Sequence, residues 1–297
     1  MAIDRADDGD AIRHVPGSQD ASSGVDVLAD PEHREVMHRF YRAVVDHTYG
    51  VARDAWAQAY PGLRDAWQRH VEKYPERERP TPRTQPDGSW EADETRKLSP
   101  EQNAEVDYGI ARIREVGKDV IVPGMCSVEG EDASRCLAGF DNRFKGEDRL
   151  KEKVADQLRS NVDLTPTQAL ATVADAVRFT LQYAETAYTG GVRKDVERLQ
   201  ANGFTEVERR NTWMSDQYKG INSRWREPES GVIFEVQFHT QASLEAKELT
   251  HKAYERIRST AEAPELGELK EFQRGVNSMI PIPPDVADIE DHPPGET

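Results

Sequence analysis

The chain has 297 residues, a formal net charge of -16, 36% hydrophobic residues and 32% charged residues. That length allows two domains, or one domain with a helical extension. The negative balance disfavours general binding to nucleic acid or anionic lipid, while leaving room for a local basic site.

Residues 1–30 are acidic, rich in Asp, Ser, Gly and Ala, and read as a disordered tail. They contain no apolar h-region, and no run in the chain approaches the roughly 18 apolar residues of a membrane span. Neither a signal peptide nor a transmembrane segment is expected. The expected location is cytoplasmic, with specialised export of an effector left open. Pro31 can open a helix on which Val36, Phe40, Val44 and Val45 recur at helical spacing. A second run, about 51–74, puts Trp56, Tyr60, Leu63 and Trp67 on one side as a packing stripe. Residues 75–98 mix prolines with dense charge and read as a linker or exposed loop. Ser99-Pro100-Glu101-Gln102 is a helix start, and that helix runs to about Val116. Residues 31–120 are thus expected to be helical, with a loop at 75–98. Cys126 and Cys136 read as two free thiols or a small disulfide loop, and not as a zinc site.

Beyond about residue 140 helices and strands alternate. Helices are expected at about 148–160, at 165–174, and from Val192 to Ala201 with Gly203 as the residue that ends it. From Ala176 to Tyr183, Val177, Phe179, Leu181 and Tyr183 alternate with Arg178, Thr180 and Gln182, which is the period of a half-buried strand. Phe204–Asn211 is another strand. Tyr218–Arg226 and Val232–Thr240 form a hairpin, and a last helix runs from about 243 to 259. This predicts an α+β fold, a mixed sheet of about five strands flanked by helices, over 121–285, with a disordered tail at 286–297. No Gly-rich phosphate loop is present, so phosphates would have to be held by side chains.

Two stretches could carry chemistry. On the strand at 232–240, Val232, Phe234, Val236 and Phe238 face one way, while Glu235, Gln237 and His239 face the other. A solvated sheet face gives the same alternation. From Arg143 to Lys153 five cations fall within eleven residues: Arg143, Lys145, Arg149, Lys151 and Lys153. Cations at a helix N-terminus oppose the macrodipole, a cost that a bound polyphosphate relieves. A solvated charged face, partly neutralised by Glu147, Asp148 and Glu152, is the other reading.

Together these segments resemble the synthetase domain of RelA/SpoT-type nucleotide pyrophosphokinases. Arg143-Phe-Lys145 and the basic helix after it are similar to the family's Arg-x-Lys segment. Glu235-Val-Gln237-Phe-His239-Thr240 resembles its Glu-[Ile/Val]-Gln-[Ile/Phe]-Arg-Thr strand. Tyr218-Lys-Gly-Ile-Asn is similar to the segment with a base-stacking tyrosine, and Thr250-His251-Lys-Ala-Tyr254 to an Ala-His-x-x-Tyr segment. The match covers about residues 137–260, and nothing resembles the family's hydrolase domain.

The resemblance implies a nucleotidyltransferase-like synthetase fold and Mg²⁺-dependent transfer of pyrophosphate from ATP to the 3′-hydroxyl of a purine nucleotide, in a toxin or effector version of the family. It implies Glu235 and Asp175 as catalytic and metal-binding carboxylates. Arg143, Lys145, Arg149, Lys153 and Arg178 would bind ATP, and Tyr218, Gln237, His239 and His251 the acceptor. Where the family pattern Asp-x-x-[Gly/Ala]-x-Arg has its Asp, this chain has Val173, so Asp175 is expected to stand in. Two alternatives remain open. One is a tRNA 3′-end pyrophosphokinase, and the other an inactive nucleotide-sensing or partner-binding module. The helical N-terminal region could bind a neutralising or carrier protein.

Overall fold

The computed structural model describes residues 31–75, 80–259 and 264–294, except the side chains of 31–49 and 259. The tail expected at 1–30 lies outside the described residues. The chain divides into two units, residues 1–44 and 45–297. The described part of the first is a stretch of helix α1 (Pro31–Lys73), which is one continuous helix with Pro61 inside it. No described helix is long and apolar enough to cross a membrane.

The centre of the second unit is a five-stranded mixed sheet. Its strands are β4 (Arg135–Ala138), β5 (Arg178–Tyr183), β6 (Thr205–Asn211), β7 (Ile221–Arg226) and β8 (Ile233–Thr240), in the order β4-β5-β8-β7-β6. β5 and β8 run parallel, and the other neighbours are antiparallel. A parallel pair needs a crossover, here made by α6 (Tyr188–Ala201) with the β6–β7 ribbon. Period-two patterning sorts the side chains. Phe179, Leu181 and Tyr183 of β5 and Phe234, Val236 and Phe238 of β8 enter one core with Met125, Val128, Val192, Leu199 and Trp225. The hairpin and both central strands lie where the sequence pattern puts them.

The stretch 75–98 is not the expected exposed loop. It contains a three-stranded meander, β1 (Arg83–Thr84), β2 (Trp90–Glu91) and β3 (Lys97–Leu98). Trp90 and Leu98 are buried in a second core with Val106, Ile110, Leu150, Val154 and Leu170. The Trp90 indole N–H donates to Asp148 Oδ1 at 2.9 Å, at the start of α4 (Glu147–Ser160). Buried Trp90 and Leu98 therefore order a segment whose composition reads as linker.

The helix α2 (Pro100–Val116) starts as expected. Ser99 and Gln102 form a reciprocal capping box with Pro100 at the first turn. The helix does not stop near 116. It continues through a π-helical segment (Gly117–Ile121) into α3 (Val122–Gly130). α3, β4 and a last helix α8 (Glu265–Ser278) are elements that the sequence pattern does not announce. Cys126 and Cys136 are free and exposed, as unpaired thiols. The tail expected from 286 is ordered as far as 294. Val286 and Ile289 are buried, and the backbones of Arg209 and His292 exchange N–H···O bonds of 2.8 and 2.9 Å.

Candidate functional site

The face of the sheet opposite the main core is polar and carries a cross-strand grid. The register sets Arg178 of β5 against Glu235 of β8, and Glu235 against Arg224 of β7. One row further, Thr180, Gln237 and Asn222 line up, and then Gln182 with His239. Residues opposite each other on neighbouring strands touch side by side, so Glu235 lies between two arginines. Helix α7 (Gln241–Ser259) follows β8 directly, and its residues Lys247, Thr250, His251 and Tyr254 help to close this face into a cleft of about 740 Å³.

Of the residues singled out in the sequence, Lys153, Asp175, Arg178, Tyr218, Glu235, Gln237 and His251 line that cleft. They come from α4, the turn before β5, β5 itself, the β6–β7 connection, β8 and α7. Four do not line it. Arg143 donates to the Phe140 carbonyl at 2.8 Å, and its guanidinium lies over the Phe140 ring, 4.2 Å from the centroid. Arg149 is exposed and paired with Glu152 at 2.7 Å and Glu255 at 2.6 Å. Lys145 reaches the cleft only through Asp175. His239 is fully buried rather than facing the acceptor side, because α7 covers the far end of the polar face.

The Arg143–Lys145 segment is nonetheless anchored at the cleft. The Arg178 N–H donates to the Arg143 carbonyl at 2.8 Å and the Lys145 N–H to the Ala176 carbonyl at 3.1 Å, extending the edge of β5. Phe144 between them packs on Gly117, where a Cβ would come within 2.5 Å of the ring. That glycine in the π-helical turn gives the segment its place.

Strand β5 begins at Arg178, and residues 174–176 form a 3-10 turn rather than the start of a strand. Val173 packs into the second core, 5% exposed, while still bordering the cleft, and Asp175 reaches into the cleft. Both Asp175 oxygens accept from Lys153 Nζ at 2.8 Å, and Lys145 Nζ lies 3.0 Å from Oδ2. Burial pushes this carboxyl up, but the two lysines outweigh it and hold it below its ordinary value.

The opposite end of the cleft is held by neutral groups. Tyr218 OH donates to Asn222 Oδ1 at 3.0 Å and lies 2.8 Å from His239 Nε2. His239 Nδ1 lies 2.9 Å from Ser243 Oγ. Because Tyr218 donates to Asn222, its oxygen accepts from His239 Nε2–H, and the neutral ring meets through Nδ1 the Ser243 hydroxyl, which also donates to the Thr240 carbonyl at 3.2 Å. Burial, then the charges of Lys247 and Arg178, push His239 well below its ordinary pKa, in keeping with a neutral ring. Burial, then the Glu235 charge, raise the Tyr218 hydroxyl. His251 lies at the cleft rim with most of its side chain exposed, 3.7 Å from Glu255 Oε1, and the partial desolvation of its ring there lowers its pKa.

Glu235 Oε1 accepts from Gln237 Nε2 at 3.0 Å, and Gln237 Oε1 accepts from Lys247 Nζ. Sequence reasoning missed Lys247, Arg224 and Arg210, all on the cleft wall. A signal for Lys247 was available: it lies four residues before His251, on one helix face. Arg210 and Arg224 share the buried carboxylate of Glu208, Arg224 at 3.1 Å.

Among the described residues no group of three or more His, Cys, Asp or Glu could hold a metal ion. Mg²⁺ is commonly bound by one or two carboxylates with substrate phosphates completing the shell. The carboxylates of the cleft are Asp175, held by two lysines, and Glu235, bonded to a single amide.

No protein-family model and no curated protein matches the sequence. Solved structures do. The chain is similar to small alarmone synthetase 1 from Bacillus subtilis bound to its product pppGpp, at 16% identity. That alignment covers 63% of this chain and 96% of that one with a TM-score of 0.44. Small alarmone synthetase 2 from Bacillus subtilis aligns at 13% identity over 60% and 94% with a TM-score of 0.39. A GTP pyrophosphokinase family protein from Streptococcus pneumoniae aligns at 12% over 61% and 90% with a TM-score of 0.40. At such TM-scores the likeness is loose, and the functional reading rests on the cleft itself.

Proposed function

We propose that the chain transfers a pyrophosphoryl group from ATP to the 3′-hydroxyl of a purine nucleotide, in a Mg²⁺-dependent reaction. One observation carries the reading. Separate segments that resemble the pyrophosphokinase motifs send Lys153, Arg178, Tyr218, Glu235, Gln237 and His251 into one cleft.

Its chemistry suits the reaction. The acceptor 3′-oxygen attacks the β-phosphorus of ATP, the bond from that phosphorus to the α,β-bridging oxygen breaks, and AMP leaves. The hydroxyl must lose a proton, and the free Oε2 of Glu235 is the acceptor for it, because Oε1 is held by Gln237. Arg178, across the strand pair from Glu235, and Lys153 at the cleft wall set cations against the donor phosphates. Lys145, Arg143 and Arg149 act in this reading from behind the wall, Lys145 through Asp175. Tyr218 presents a ring to the acceptor base, a contact worth on the order of 1–3 kcal/mol, and His239 fixes its hydroxyl. Gln237 and His251 border the acceptor. Glu235 and Asp175 would hold Mg²⁺, which offsets phosphate charge when bound. Asp175 must then pass Lys145 and Lys153 over to the phosphates.

That pairing also favours a second reading, a nucleotide-binding module without turnover in which Asp175 stays locked between its lysines. Incubation with ATP, Mg²⁺ and each of GDP, GTP, ADP, ATP and tRNA, read by product mass, separates the readings. Gain of a pyrophosphoryl group by a free purine nucleotide supports the first. Gain on tRNA alone shifts the acceptor to an RNA 3′ end. ATP binding with no product on any acceptor supports the module. A toxin role is tested by growth arrest on expression that Glu235→Gln abolishes.

A further inference from the structure

The cleft holds its cations in two different ways. Lys145 and Lys153 share the carboxylate of Asp175. Arg178 and Lys247 line the same cleft, and among the described residues neither forms an ion pair. The hydrogen-bond partner of Lys247 is the neutral amide of Gln237, so no carboxylate is bonded to it. Arg178 adds a like charge nearby. Burial and then Arg178 push Lys247 down to about 8, against the opposing pull of Glu235 and Glu248. Two cations gathered in a partly buried space with no carboxylate bonded to either cost the empty protein stability, and the Glu235 carboxylate beside Arg178 offsets only part of that cost. A polyanion between them removes that cost.

The strand supplies no such charge in this region. The last residue of β8 on this face, His239, is buried, neutral and bonded at both ring nitrogens. The positive charge at this end of the cleft comes from α7. Ser243, Lys247 and His251 are spaced four apart. Ser243 fixes His239 beneath the cleft, while Lys247 and His251 reach the cleft itself.

We propose that Lys247 and Arg178 form a second phosphate-binding pair, which holds the transferred diphosphate beside Glu235, so that Lys247 is a substrate-binding residue of the reaction. The proposal rests on the pyrophosphate-transfer reading. The ligand class is the linear polyphosphate of a nucleoside triphosphate. Gln237 ties the pair to the proton acceptor. Its amide oxygen faces Lys247, so its NH₂ must face Glu235.

The test uses the full chain and three variants: Lys247→Met, Lys247→Arg and Lys97→Met, the last a control on β3 away from the cleft. Metal-free ATP binding and the ATP KM are measured together with the melting temperature. In Lys247→Met we expect ATP affinity to fall about ten- to a hundredfold, the size of one charged hydrogen bond. The melting temperature should hold or rise, since a cation that burial and Arg178 disfavour has gone. Lys247→Arg should recover most of the affinity, and Lys97→Met should match the parent chain. If Lys247→Met binds and turns over ATP like the parent, the pair is refuted and the function stands. A lower melting temperature with unchanged ATP affinity makes Lys247 a strut for Gln237 and also refutes it. If the parent chain binds no ATP, the functional reading itself fails.

Discussion

The two ends of the cleft are built from different interactions. At the Tyr218 end, Tyr218, Asn222, His239 and Ser243 join neutral groups in a chain of hydrogen bonds, with the histidine fully buried. At the Asp175 end, one carboxylate is shared by Lys145 and Lys153, all three partly exposed. A buried neutral network holds one geometry and is indifferent to salt. A partly exposed ionic cluster is screened by salt and can exchange partners. The first end therefore suits a rigid platform for a base, and the second a charge reservoir that opens when phosphates arrive.

The sharpest way to divide the ends is the residue between them. Glu235→Gln keeps the shape and removes the proton acceptor, so turnover should fall by about 10²–10⁴-fold while ATP affinity stays close to that of the parent chain. Stopped assays alongside equilibrium ATP binding check both halves. Next comes Asp175→Asn, which should split binding from catalysis. Freed from the carboxylate, Lys145 and Lys153 should tighten metal-free ATP binding by about tenfold, while Mg²⁺-dependent turnover drops. Unchanged ATP affinity would mean that the lysines are not in reserve.

The neutral end should break in another manner. A Cβ at Gly220 would come 2.7 Å from Cε1 of His239 and 3.3 Å from the Phe238 carbonyl. Gly220→Ala should therefore cost about 1–3 kcal/mol of stability and raise the acceptor KM more than the ATP KM, as denaturant titration and steady-state kinetics can show. The smallest effect concerns pH. His239 has a folded pKa well below its ordinary 6.5, so the unfolded chain binds the extra proton as pH drops. Stability from this group is present above about pH 6.5 and is lost below it, at about 1.4 kcal/mol per pH unit. His239→Gln should flatten that part of the profile, whereas a mutation at the ionic end should not.

The sequence made some of this readable because period-two alternation is local. The strands at 178–183 and 233–240, the hairpin, and the polar row of Glu235, Gln237 and His239 follow from pattern. What covers that row is not local. Helix α7 folds over the end that carries His239, so a residue on the polar face is completely buried. The meander at 83–98 was hidden for a related reason, since composition says charge and proline while buried Trp90 and Leu98 decide the packing. Asp175 could be named from the missing carboxylate at Val173, but its pairing with two lysines depends on the 3-10 turn at 174–176 and on where α4 lies. Lys247 went unread because on a helix surface a lysine looks like solvation until the cleft beneath it is known.

The most direct test of pyrophosphate transfer follows both outer phosphates of the donor. The chain is incubated with a purine nucleotide acceptor, Mg²⁺ and ATP labelled at the β- and γ-phosphorus. Both labels should appear together on the acceptor 3′-oxygen, with one unlabelled AMP released per product and neither outcome in Glu235→Gln. Labels that leave as free phosphate, labels that stay in ATP with every acceptor, or transfer undiminished in Glu235→Gln would contradict it.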